Sequence, residues 1–112
     1  MDIKKQLKIK IDSLNRLEKD FKLYQKEEKQ QIEIVDSFKN NPEKDIYDVK
    51  KQEEILDESK AMILDALTRL VESIFNFSKF LEENSDKNDD SEIWKNSIDT
   101  IEKYFETYVN DQ

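Results

Sequence analysis

The sequence predicts an all-α protein: an antiparallel up-down-up three-helix bundle with coiled-coil-like heptads and a shorter third helix. Three observations carry that prediction. Apolar residues recur at 3–4 spacing along two long stretches, glycine is absent from all 112 residues, and the one proline, Pro42, falls between the two stretches. Heptad spacing keeps one stripe of a helix turned toward a partner. Strands joined by tight turns, in contrast, usually need glycine for positive φ.

The first stretch places Leu7, Leu14, Phe21, Glu28 and Val35 at one seam position. Ile3, Lys10, Leu17, Tyr24, Gln31 and Phe38 hold the other. A helix over 3–38 follows, roughly 54 Å long at 1.5 Å per residue. The segment 39–47 is a loop, because Pro42 lacks a backbone donor and pushes Asn41 out of helical geometry. Asp48 is the expected N-cap of the next helix, with Asp45 as the alternative. The second helix spans 48–83. Its seam reads Val49, Leu56, Ile63, Leu70 and Phe77, then Gln52, Ser59, Ala66, Ser73 and Phe80. From Met62 onward the apolar stripe widens through Leu64, Leu67, Val71, Ile74, Phe75 and Leu81, as Ile9 and Ile11 widen it in the first helix. The segment 84–90 is a polar, acidic connector, expected to be flexible. Asp89 or Asp90 caps a third helix over 91–110, Asp89 with Glu92 having capping-box spacing. Its seam reads Trp94, Ile98 or Ser97, Ile101, Tyr104 or Phe105, and Tyr108. A third helix of that length covers only the half built from about 3–21 and 64–83. The polar seam residues Glu28, Gln31, Gln52 and Ser59 then fall in the less covered half. The whole chain, 1–112, reads as one domain.

Composition narrows function. Charged residues make up 41% and apolar ones 36%, which suits thin helices with large solvated faces. Net charge is −8, which disfavours nucleic acid and anionic membrane as partners. No stretch approaches the ~20 apolar residues of a membrane span, and the charged start does not read as a secretory signal. The expected location is cytoplasmic. With no histidine, cysteine or glycine, Ser-His-Asp and Cys-His pairs, His or Cys zinc sites and glycine phosphate loops are excluded. No enzyme activity, metal or cofactor is expected. Asp86-x-Asn88-x-Asp90 has the first spacings of a calcium loop, but Ser91 and Ser97 stand where glycine and a bidentate glutamate belong. Asn76-Phe77-Ser78 is a glycosylation sequon inside an expected helix, with Phe77 in the core.

Three stretches carry a resemblance. Gln6-Leu7-Lys8-Ile9-Lys10 leads to Arg16-Leu17; Tyr24-Gln25-Lys26-Glu27-Glu28-Lys29-Gln30-Gln31 follows; then comes the run from Tyr47-Asp48-Val49-Lys50-Lys51-Gln52 to Glu58-Ser59. In order, spacing and length these resemble the tubulin-specific chaperone A family over residues 6–83. The resemblance implies a three-helix bundle that accepts β-tubulin from the cytosolic chaperonin and holds it for other tubulin-folding cofactors on the way to the heterodimer. It implies no nucleotide or metal, binding through helical faces, and a cytoskeleton-associated protein. The alternative is a self-associating structural bundle or an adaptor for another helical partner. The expected state is a monomer or weak homodimer.

Candidate contacts lie outside the seam in the less covered half. Ile34 and Ile55, with Ile32 and Met62, are the apolar ones. Tyr24, Glu27, Gln30, Tyr47, Lys50, Lys51, Glu54 and Glu58 are the polar and aromatic neighbours. Gln31, at a seam position, is either a register device or part of a gap that a partner fills. Lys50 and Lys51 are the positive charges expected to meet an acidic partner.

Overall fold

The computed structural model describes residues 2–110 and contains three α-helices: α1 Ile3–Lys39, α2 Ile46–Glu83 and α3 Glu92–Tyr108. The fold is the all-α bundle the periodicity predicts, with the third helix the shortest. The chain packs as two compact units. One comprises the described residues through Glu18 and those from Thr68 on; the other is Lys19–Leu67.

The first unit has three helical segments around one core. Leu7 and Leu14 from α1, Leu70, Ile74 and Phe77 from α2, and Trp94, Ser97, Ile101 and Tyr104 from α3 are buried. Burying a leucine or phenylalanine side chain is worth about 1.5–3 kcal/mol, so these layers dominate the unit's stability. Lys4 reaches Asp89 at 3.0 Å, Asn15 reaches Tyr104 at 2.9 Å and Glu18 reaches Tyr108 at 2.6 Å. The partners advance together along both helices, so α3 runs parallel to α1. Lys10, a charge at a seam position, lies 4.6 Å over the Phe80 ring. Its stem stays on apolar surface while the ammonium meets the ring face. Ile9, Leu64 and Phe75, expected within the widened stripe, are exposed. Phe75 still meets the edge of Phe105, with centroids 5.1 Å apart.

The second unit is a two-helix hairpin. Its buried residues are Phe21, Gln31, Val35 and Ala66, while Val49, Leu56 and Ile63 are half-buried along the predicted seam. The helices are antiparallel, since Gln31 and Lys39 before the turn meet Gln52 and Glu53 after it.

The termini of α2 and α3 differ from the sequence expectation. α2 starts at Ile46 because Asp45, not Asp48, is its cap. Asp45 Oδ1 accepts the Asp48 amide at 2.9 Å, and Asp48 Oδ2 accepts the Asp45 amide at 3.3 Å. This is the reciprocal capping-box pattern, with Asp48 at the third helical position. The loop shortens to 40–45, where Asn41 Oδ1 accepts the Glu43 amide at 2.9 Å. The N-cap of α3 is Ser91, not Asp89 or Asp90. Asp89 instead accepts the Ser91 amide and pairs with Lys4, and Asp90 takes a left-handed φ of 60°. The connector contains a 3-10 turn over Ser85–Lys87. Asn88 turns its side-chain oxygen to the Asp90 amide. None of the described helices is long and apolar enough to cross a membrane.

Candidate interaction surface of the hairpin

All thirteen candidate contacts fall in the Lys19–Leu67 hairpin, and its geometry sorts them. Lys39 Nζ lies 3.6 Å from Glu53 Oε1, which marks one edge. Each of these residues follows a seam residue, Phe38 or Gln52. Positions seven apart share a stripe on a supercoiled helix, so Ile32, Ile46 and Lys60 lie on that same edge. Residues that precede a seam position lie on the opposite edge: Glu27 and Ile34 in α1, Ile55 and Met62 in α2.

The opposite edge therefore gathers Glu27, Gln30 and Ile34 with Lys51, Ile55 and Glu58, all exposed. Lys50 stands on the ion-pair edge, one residue and so about 100° around the helix from Lys51. Glu54 and Tyr47 occupy the back of α2, and Tyr47 is 77% exposed. Tyr24 is half-buried in the seam. Ile32, grouped with Ile34 by proximity in sequence, is separated from it by the full width of α1.

Gln31 is not surface. It is 8% exposed, and its Nε2 donates to Gln52 Oε1 at 2.9 Å and to the Gln52 carbonyl at 3.0 Å. A buried amide must be satisfied, and a matched pair at one level fixes register between two helices. Buried and bonded across the seam, Gln31 has the geometry that a register device requires.

Sequence reasoning missed Ile46. It is 76% exposed on the first turn of α2. The signal was present: an isoleucine lying seven residues before Glu53, off the seam, beside an equally exposed tyrosine. It was hidden by placing the helix start two residues later.

The hairpin offers apolar side chains on preformed helical surface, framed by charge. Among the described residues no group of three or more acidic side chains is arranged to hold a metal ion. The fold defines a small all-helical protein with exposed apolar side chains on preformed helices. A profile of the tubulin binding cofactor A family matches residues 2–101. The chain is 57% identical over 103 residues to the tubulin-specific chaperone A of Dictyostelium discoideum, covering 92% of this chain and 91% of that one. It is 39% identical over 82 residues to the human protein of that name, covering 73% and 75%. The Saccharomyces cerevisiae protein is 42% identical over 78 residues, covering 70% of each. No solved structure matches. The chain belongs to the tubulin binding cofactor A family.

Proposed function

We propose that this protein binds β-tubulin released by the cytosolic chaperonin and holds it, without chemistry, for other tubulin-folding cofactors to bring into the α/β heterodimer. Family membership over residues 2–101 is the observation that carries the reading. It acts in the cytoplasm beside the cytoskeleton, as a monomer or weak homodimer. The hairpin supplies the contacts, through Ile34, Ile55 and the polar residues around them. Helices that are already formed limit the ordering cost of association, and apolar anchors ringed by polar groups suit a protein partner.

The test is capture of β-tubulin from a chaperonin-driven translation mix by the tagged chain, with α-tubulin as control. Selective retention of β-tubulin is expected. Equal retention of both, or of neither, by a chain that is helical in solution overturns the assignment.

A further inference from the structure

The two edges of the hairpin carry opposite charge. On the ion-pair edge lie Lys22, Lys29, Lys39, Lys50 and Lys60, with only Asp36, Glu53 and Asp57 among them. The other edge has Asp20, Glu27, Asp48, Glu58 and Asp65 against Lys51 alone. In a chain of net charge −8 an acidic edge is what composition alone supplies. A basic edge is the departure that calls for a partner. It also carries exposed apolar side chains: Ile32 and Ile46 beside the seam and Leu64 further out.

We infer that the ion-pair edge is a docking surface for an acidic, apolar-studded helical segment of the client. The inference rests on the proposed tubulin-holding function and says which side of the hairpin meets the client first. Lys50 and Lys60 stand ten residues apart on this edge, about 15 Å along the axis. A client helix with carboxylates at the same interval matches them, while its apolar residues meet Ile32 and Ile46. An acidic segment is repelled by the far edge and attracted here. Complementary fields of this kind steer encounter and fix orientation more than they add raw affinity.

The test compares two charge-matched triple variants for binding of chaperonin-released β-tubulin, by anisotropy at low and high salt. One is Lys29→Glu, Lys50→Glu, Lys60→Glu on the edge. The other is Lys5→Glu, Lys19→Glu, Lys26→Glu, all exposed and away from it. Far-UV circular dichroism checks helicity, and Lys29→Gln, Lys50→Gln, Lys60→Gln replaces the edge variant if repulsion unfolds it. The edge variant is expected to weaken binding roughly tenfold or more and to flatten the salt dependence, with the control within about threefold of wild type. Equal losses in both variants, or none in either, overturn the inference and leave the tubulin assignment standing. A wild-type chain that binds no β-tubulin overturns both. Self-association of wild type in sedimentation velocity that the edge variant abolishes makes a second copy the occupant, and also overturns it.

Discussion

At Gln31 one amide nitrogen serves two oxygens of the same residue across the seam. Truncating it removes a donor from a partly buried acceptor pair, so Gln31→Ala is expected to cost about 1–2 kcal/mol of stability. Replacing both partners, Gln31→Leu with Gln52→Leu, is expected to raise the thermal midpoint while loosening register, since apolar seams are more stable but less specific. Thermal unfolding measured by ellipticity at 222 nm separates the two outcomes. The hydroxyls of Tyr104 and Tyr108 converge on Glu18, at 3.3 Å and 2.6 Å, with their rings stacked at 5.9 Å. Burial, then the Glu18 carboxylate, pushes the Tyr104 hydroxyl up from 10.0 to about 12. Burial and the bond to Glu18 push Tyr108 up as well. The folded state therefore holds these protons more tightly than the unfolded chain. Their contribution to stability is complete below pH 10 and is lost as pH climbs toward 12. A tyrosinate titration at 295 nm is expected to show a late component that Tyr104→Phe diminishes. Titration of every tyrosine in one step near pH 10 contradicts it.

At the scale of the element, α2 depends on its first turn. Asp45→Ala leaves the amide of Asp48 without its acceptor and is expected to cost about 1 kcal/mol. Asp48→Ala removes the weaker 3.3 Å half of the box and is expected to cost less; chemical denaturation ranks the two. These caps also show where the sequence stops being legible. The seam of α1 and α2 could be read because leucine, phenylalanine and valine at heptad spacing have one low-energy arrangement, and Leu7, Leu14, Val35, Leu70 and Phe77 are buried accordingly. Asp45, Asp48, Asp89 and Asp90 are all chemically fit to cap. Which one does so depends on where the chain turns, and pattern alone does not specify that. Lys50 and Lys51 make the same point for the candidate surface. They are neighbours in sequence, yet they stand on edges of opposite charge. The expected consequence is that Lys50→Glu weakens β-tubulin binding more than Lys51→Glu, measured by the same anisotropy titration.

For the whole molecule, the burial pattern predicts uneven stability. The unit holding α3 buries Trp94, Phe77 and a layer of leucine and isoleucine. The hairpin buries Phe21, Val35, Ala66 and an amide. Large apolar side chains raise the free energy of local opening. Amides in 28–38 and 48–58 are therefore expected to exchange hydrogen faster than those in 64–81. The opposite ranking in exchange detected by mass spectrometry contradicts this. The sequence carries the gradient because Glu28, Gln31, Gln52 and Ser59, four of its six polar seam residues, lie in one half. The sidedness of charge escaped it, since that requires the phase of both helices to be fixed by a contact such as Lys39 with Glu53.

The one tryptophan in the chain, Trp94, is 1% exposed within the three-helix layers. It gives the protein an intrinsic optical reporter confined to that unit. Fluorescence on denaturation follows the indole's loss of its apolar surroundings, whereas ellipticity sums over every helical residue. Superimposed curves mean that the chain melts as one cooperative body. A fluorescence transition that lags the ellipticity means that the hairpin loosens first, leaving a state in which the surface proposed to hold the client is labile while the rest of the protein remains folded.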